Sequence, residues 1–359
     1  AASQRDAVTL RVGHLLDPLG LLGALLCAGG LTLRDRFATL RWFASLRRTE
    51  FRCDASATVA DILHALPSRA RDGLFVPLCV ASLNTPAASA SAQVFLNVLR
   101  DTFGGDAGAC DTVTPRGGLA DAIPDVAERW LRARGHAVHR SSRVRVATAG
   151  DRVQLTGRAG LRAADAIIVA VGPHQLAAAF DAELVTRDPA VASALRAVST
   201  FEWQPIVTVY LGYAGAVTVP RALVRLDDAP GQWLFDRPDI LARAAPSATR
   251  PAFATLLSVV ISAHGPHEAL DHPSLTAAVD AQLRRLRPSL PALRWSQVIA
   301  ERRATYSCVP GLSPPRCGLL TGHVYIAGDY TYPALPATLE SAVRSGICAA
   351  RAVIDGQRP

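Results

Sequence analysis

In the stretch YIAGDYTYPALPATLESAVRSG, residues 325–346, an apolar strand ends in Gly328-Asp329 and a helix of small residues begins soon after. A carboxylate at a strand end can accept hydrogen bonds from ligand hydroxyls. Around Pro336 to Leu339 the first N–H groups of the helix lack intrahelical acceptors, and the helix dipole there favours negative charge. Such a start can donate to the electron-rich edge of a ring. Further on, Leu339, Val343, Ile347, Ala350 and Ile354 recur near helical spacing and predict a packing face. Ala342, Ser345, Gly346 and Ala349 predict a flank thin enough for another backbone or a flat ring to come close. An ordinary strand-turn-helix has the same spacing. What points to a bound cofactor is the joint occurrence of the Gly-Asp, Pro-Ala-Thr and Ser-Gly elements.

The elements that must carry this stretch follow from periodicity and turn residues. Residues 1–105 read as helical, with turns at LPSRARDG (66–73) and LNTPAAS (83–89). In the helix 89–103, Val94, Leu96, Val98, Leu99 and Phe103 form an apolar stripe, stopped by Gly104 and Gly105. A glycine-containing turn then feeds a helix that ends at Gly135. RVRVATAGDRVQLT (143–156) alternates about Ala-Gly-Asp, which is a hairpin pattern, and ADAIIVAVGP (164–173) reads as a strand buried on both faces. Strands are expected at 205–213, 231–236, 253–263 and 323–329, and helices at 274–286 and 337–354.

Composition bounds the function classes. Half of the 359 residues are apolar, enough for a globular protein with more than one core. The formal charge is +8, yet the chain contains no Lys, so every basic residue is Arg. No basic cluster with interleaved aromatics marks a nucleic-acid surface. The nearest case, RDRFATLRWFASLRRTEFR (34–52), reads as a solvated helix face or as a helix lying on an anionic membrane surface. Seven cysteines (27, 53, 79, 110, 308, 317 and 348) show no CxxC spacing and favour a reduced, cytosolic setting. His136/His139 and His264/His267 lack cysteine or carboxylate ligands at metal spacing and read as surface histidines; no metal is expected. LLDPLGLLGALLCAGGL (15–31) is broken by Asp17, Pro18 and glycines, and reads as a buried or membrane-dipping helix.

The stretch 325–346 resembles the C-terminal flavin-binding signature of the FAD-dependent amine oxidase and phytoene desaturase superfamily. The resemblance implies FAD as cofactor, with contacts from Gly328, Asp329, Pro336, Ala337, Thr338 and Leu339. PRGGL (115–119) is similar to the family's Gly-Gly turn near the flavin, through Arg116 and Gly117. Val144 falls where a backbone contact to adenine is usual, and Gly172 marks the crossover into the substrate domain. VPLCVASLNTPAASASAQVFLNVLRD (76–101) followed by AGDYTYPALPATLESAVRSG is similar, more narrowly, to the hydroxysqualene dehydroxylases of bacterial hopanoid synthesis.

The resemblance implies an α/β fold in which an FAD-binding, Rossmann-like domain of glutathione-reductase type is interleaved with an α+β substrate domain. Its expected parts are a helical substrate or membrane-docking region (1–112), FAD-binding segments (113–172 and 304–359) and a substrate domain (173–303). It implies reduction of hydroxysqualene to squalene by hydride from reduced flavin, on a peripheral protein at the cytoplasmic face of the inner membrane. Other squalene-synthesis enzymes are possible partners. Phe201, Trp203, Tyr210 and Trp233 are tunnel candidates or plain core, and Tyr330, Tyr332 and Glu202 are candidate proton donors. A carotenoid-type desaturase and a flavin-free lipid-binding protein are the alternatives.

One departure stands out. No Gly-x-Gly-x-x-Gly occurs, although a dinucleotide pyrophosphate needs that close glycine backbone at a helix N-terminus. With Met absent even at position 1, the expectation is an N-terminally truncated sequence preceded by at least one βαβ unit of about 30 residues. The chain as given is therefore expected to bind FAD weakly or not at all. A flavin titration showing tight, stoichiometric binding contradicts that expectation.

Overall fold

The computed structural model describes residues 29–356, apart from 104–112, 114–117, 150–151, 158–159, 220–222, 239 and 241–252. Helix α1 (Leu33–Arg48) opens with a reciprocal cap: Asp35 N–H donates to Thr32 Oγ1 at 3.2 Å and Thr32 N–H to Asp35 Oδ2 at 3.0 Å. Arg47 and Arg48 in its last turn complement the dipole. After α2 (Val59–Leu63), a helical run passes through Ser68–Ala70 and a π-helical turn, Arg71–Phe75, into α3 (Val76–Leu83). The turn expected at 66–73 is thus mostly helix. Its Pro67 sits just before the helix, where a missing N–H costs nothing. Asn84 ends α3 in the left-handed conformation at φ 47°, and α4 (Ala92–Phe103) follows.

Helix α5 (Pro124–Ala133) precedes the meander β1 (Val144–Ala149), β2 (Arg152–Gly157) and β3 (Gly160–Ala163), so the expected hairpin gains a third strand. Strand β4 (Ile167–Val169) is shorter than its apolar run, and Ile168 is 41% exposed rather than buried. Among the described residues it lies at the edge of its sheet, with a neighbour on one side only. Helices α6 (Ala182–Arg187) and α7 (Pro189–Ser199) come next, α7 capped by Asp188, whose carboxylate accepts from Ala190 N–H and Val191 N–H. Then follow β5 (Trp203–Tyr213), β6 (Leu223–Arg225), β7 (Trp233–Asp236), β8 (Thr255–Ser262), α8 (His272–Leu286) and β9 (Leu293–Tyr306). The chain closes with β10 (Gly318–Thr321), β11 (Val324–Ile326) and α9 (Leu339–Gly356).

Two compact units emerge: residues 1–111, 140–202 and 305–359 form one, and 112–139 with 203–304 the other. In the first, Trp42, Phe43 and Phe75 meet at ring-centroid distances of 5.0–5.9 Å in the core between α1, α3 and α4. Trp42 and Phe43 of α1 are therefore core, whereas Phe37 is exposed, as are Arg34, Arg41, Arg47 and Arg48. The same unit holds a three-stranded sheet in the order β10-β11-β4, with β11 parallel to β4.

On α9 the expected packing face is turned outward. Leu339, Val343, Ile347 and Ile354 are 48–57% exposed, while Ser341, Ser345 and Ala349 are fully buried. Spacing gives a helix two faces; what decides between them is that hydroxyls on the small-residue face find backbone partners.

The second unit is an antiparallel sheet in the order β6-β7-β8-β5-β9, covered by Leu275, Val279 and Leu283 of α8. His264 joins two of its segments, with Nδ1 2.9 Å from Glu268 Oε1 and Nε2 2.9 Å from Trp203 O. The bond to Glu268 raises its pKa. His267 is buried, not a surface residue, and burial lowers its pKa.

Gln282 of α8 is fully buried and grips Gly231 at both ends: Oε1 accepts from Gly231 N–H at 2.7 Å, and Nε2 donates to Gly231 O at 2.9 Å. Gly231 has no room for a side chain, since a Cβ would lie 2.4 Å from Val259 Cγ1. Gln282→Leu leaves two buried backbone groups unpaired and is expected to destabilise the protein by about 2–4 kcal/mol in urea titrations.

Candidate flavin site

The site is built where β4 and β11 end. Their register sets Ile326 beside Val169, and Ala327 N–H donates to Val169 O at 3.0 Å. Because the strands are parallel, the segments that follow them, Gly172 and Gly328-Asp329, leave from the same end of the sheet. Crevices at the carboxyl ends of parallel strands are where such sheets take ligands.

Gly328 sits at φ 142°, and a Cβ there would lie 2.5 Å from the Tyr330 ring. Only glycine fits both the backbone and the space. Its N–H donates to Ser345 Oγ at 2.9 Å, and its carbonyl accepts from Thr331 N–H and Thr331 Oγ1 at 2.9 and 2.8 Å. The turn is thereby fastened to α9 and closed on itself.

Asp329 is half-buried, and its Oδ1 accepts from Tyr330 N–H at 2.9 Å. Burial pushes its carboxyl pKa up, and among the described residues no cation pairs with it. The carboxylate therefore keeps acceptor capacity, which is what polyol hydroxyls require.

Tyr330 is fully buried, and its hydroxyl has no hydrogen-bond partner among the described residues. Its ring meets Phe201 edge-on at 6.4 Å, and Phe201 lies 5.0 Å from Tyr306. Burial raises the pKa of both phenols, with Asp329 adding to it, so both stay protonated at neutral pH.

The start of α9 is ordered by hydroxyls. Thr338 Oγ1 accepts from Ser341 N–H at 3.2 Å and lies 2.7 Å from Ser341 Oγ, which also bonds Pro336 O. Ala342 N–H donates to Thr338 O at 3.1 Å. Thr338 is thus a cap as well as a candidate contact, while the N–H groups at Leu339 and Glu340 open the helix without intrahelical acceptors. Leu339 itself is 57% exposed, and Pro336 and Ala337 lie in the turn that leads to it. Space is open beside Gly346, where an added Cβ would meet nothing within 4 Å.

The other expected residues are placed as follows. Val144 is on β1 opposite Gly157, 44% exposed, and Gly172 caps the helical turn Pro173–Ala179. Arg116 and Gly117 lie outside the described residues, as do Cys27, Cys110 and residues 13–28. Tyr332 is half-buried under the Arg344 guanidinium, 6.0 Å from its ring centroid. The Glu202 side chain is exposed, and its carbonyl accepts from Ser307 N–H at 2.7 Å. Trp203, Tyr210 and Trp233 are half-buried in the second unit, on β5 and β7.

Sequence reasoning missed the residues that hold the site. Asn84 Nδ2 donates to Thr305 Oγ1 at 2.9 Å, and Thr85 Oγ1 accepts from Cys308 N–H at 3.0 Å. Together they clamp the segment that carries Tyr306. Asn97 Nδ2 donates to Ala334 O at 2.8 Å and steadies the loop before α9. The Leu-Asn-Thr-Pro run is the available signal, since a cluster of Asn, Thr and Pro marks a loop between helices.

For a flavin, the residues present fit on one side: among the described residues, a half-buried carboxyl with no cation beside it, a buried phenol whose hydroxyl has no hydrogen-bond partner and a helix N-terminus follow from one end of the sheet. Comparison with known proteins agrees. Residues 27–354 match the family described as flavin containing amine oxidoreductase. A hydroxysqualene dehydroxylase from Rhodopseudomonas palustris is 32% identical over 298 residues, covering 80% of this chain and 63% of that protein. One from Sinorhizobium fredii is 28% identical over 280 residues, covering 75% and 59%. The chain thus spans about three fifths of the length of these curated relatives. Among solved structures, an oxidoreductase from Methanosarcina mazei superposes with TM-score 0.65 at 15% identity, over 90% of this chain and 73% of that one. Cyclohexylamine oxidase from Brevibacterium oxydans gives 0.55 at 16%, over 85% and 69%. These likenesses establish an α/β fold of the FAD-oxidoreductase type. The cofactor is FAD, and the chain belongs to the flavin containing amine oxidoreductase family.

Proposed function

We propose that this chain is the body of an FAD-dependent oxidoreductase that reduces hydroxysqualene to squalene. The observation that carries the reading is the Gly328-Asp329 turn, whose half-buried carboxyl has no cation beside it among the described residues and whose backbone is bonded to α9. The identity to the Rhodopseudomonas palustris hydroxysqualene dehydroxylase supplies the substrate class. In this reading residues 113–172 and 304–359 are FAD-binding segments interleaved with a substrate domain at 173–303, and residues 1–112 dock substrate or membrane.

Bound FAD, once reduced, supplies a hydride. The chain's own residues do the rest. Asp329 would accept hydrogen bonds from cofactor hydroxyls and the start of α9 would donate to the electron-rich ring edge, while Gly172, Val144, Arg116 and Gly117 are the further contacts that the resemblance implies. A proton donor of the chain would protonate the substrate hydroxyl so that it leaves as water; with the hydride that bound, reduced FAD would supply, one hydride and one proton account for replacing C–O by C–H and releasing water. Of the candidate donors, Tyr330 is buried with a free hydroxyl, whereas Glu202 is exposed and Tyr332 lies against Arg344. This favours Tyr330. Phe201, whose ring meets Tyr330 edge-on, would offer an aromatic face to a developing positive charge.

A squalene-sized substrate is nearly insoluble in water, so access from a bilayer is expected. No described helix is long and apolar enough to cross a membrane. We place the protein at the cytoplasmic face of the inner membrane, with other squalene-synthesis enzymes as possible neighbours.

The test uses the native protein that carries this chain, with FAD, dithionite and hydroxysqualene in detergent. Squalene is the expected product by gas chromatography, and its absence at full flavin occupancy sinks the proposal. Conversion of phytoene instead moves the assignment to a carotenoid-type desaturase. Asp329→Ala is expected to weaken FAD binding at least about tenfold in fluorescence titration, or about 1.4 kcal/mol.

A further inference from the structure

We propose that Cys317 and Cys348 form a dithiol modification site, at which oxidation by a hydroperoxide closes a disulfide around the candidate flavin segment. Both thiols are free and half-buried. Cys348, on α9, donates its thiol to Cys317 O at 3.4 Å, and it is close enough to raise the pKa of the Cys317 thiol. The backbones come close here. Gly318, next to Cys317, faces Ala352, one helical turn beyond Cys348, with the Ala352 Cβ 3.8 Å from where a Gly318 Cβ would stand. A disulfide needs two chain segments that approach closely, as these do beside Cys317 and Cys348.

The position gives the pair its meaning. Cys317 N–H donates to Thr331 O at 2.9 Å, so the Cys317 backbone is tied to the segment that follows the Gly-Asp turn. The residues between the two cysteines include the whole stretch 325–346, with Gly328, Asp329 and Thr338. A disulfide would close a covalent ring around it and fasten β10 to α9.

The other described cysteines differ. Cys79 and Cys308 are 0% and 4% exposed, out of reach of a solute, and the Cys53 thiol faces Gln93 Oε1. Burial and the neighbouring thiol push the Cys317 thiol up to about 12, so its attack on a peroxide is slow and the experiment allows time for it.

The chemistry balances. One sulfur attacks a peroxide oxygen, giving a sulfenic acid and releasing water when the oxidant is hydrogen peroxide. The second sulfur attacks the first, the S–S bond forms, and the sulfenic oxygen leaves as a second water. Each sulfur gives up one electron, and the peroxide is reduced by two. The site itself does not depend on the assigned reaction; only its consequence for cofactor binding rests on the flavin reading.

The experiment treats the native protein with a small excess of hydrogen peroxide, blocks free thiols with N-ethylmaleimide, and maps peptides without reduction. The expected result is a peptide pair linked through Cys317 and Cys348, lighter by two hydrogens than the two separate thiol peptides, and released by dithiothreitol. Cys79 and Cys308 should alkylate only after denaturation. Cys317→Ser and Cys348→Ser should each abolish the linked pair. Recovery of both cysteines as separate alkylated or oxygenated peptides from the peroxide-treated wild-type protein overturns the proposal. So does a linked peptide containing Cys348 in Cys317→Ser.

Discussion

The parallel pairing of β4 with β11 is the constraint on which the rest of the first unit depends. Two chain segments far apart in sequence, 167–169 and 324–326, must align so that Ala327 N–H reaches Val169 O. A slip by one residue would turn every side chain of the short strand to the other face. It would also move Gly328 off Ser345, and with it the Asp329 carboxyl. Each strand is three residues long, so little energy resides in the pairing itself. The register is held by what surrounds it: the antiparallel β10 on one side and the buried hydroxyls of α9 on the other.

Polar clamps do what apolar burial cannot. Dispersion and area burial are non-directional and tolerate small shifts, whereas a buried hydrogen bond is lost within a few tenths of an ångström. The backbone around the candidate site is accordingly held by side-chain hydroxyls and amides: Ser345 on Gly328, Thr338 on Ser341, Thr85 on Cys308, Asn97 on the carbonyl of Ala334. Each such bond contributes about 1 kcal/mol net. Their combined value lies in geometry, because they fix the turn, the helix start and the Tyr306 segment relative to one another.

How much of this the sequence discloses depends on whether the deciding partner is local. The cap of α1, the stripe of α4, the hairpin at 143–156 and the helix at 274–286 are legible because their stabilising contacts lie within a few residues. The Gly-Asp turn is legible for the same reason. Other features turn on remote partners. Asn84 bonds Thr305 across 221 residues, and no local pattern in Leu-Asn-Thr-Pro names that partner. The long β9 was missed because its mostly polar residues suit an edge strand that water can reach, and such strands lack an apolar run. Ile168 reads as buried because hydropathy does not report how many neighbours a strand has.

The orientation of α9 shows the same limit from the energetic side. Its apolar residues and its small residues both recur at helical spacing, and the stronger hydrophobic pattern is the one that faces outward among the described residues. Turning the helix to bury Leu339, Val343 and Ile347 would gain about 1.5–3 kcal/mol for each fully buried side chain. It would also pull Ser345 off the Gly328 N–H and Ser341 off Pro336, leaving buried polar groups unpaired at a cost of about 1–3 kcal/mol each. Branched side chains on that face would push the helix away from β10 and β11, where Gly318 meets Ala352 and a Cβ on Gly356 would stand 2.9 Å from Tyr325 Oη. Small residues are therefore what lets α9 lie close enough for its hydroxyls to reach the turn. The position of Asp329 follows from that closeness more than from the hydrophobicity of the helix.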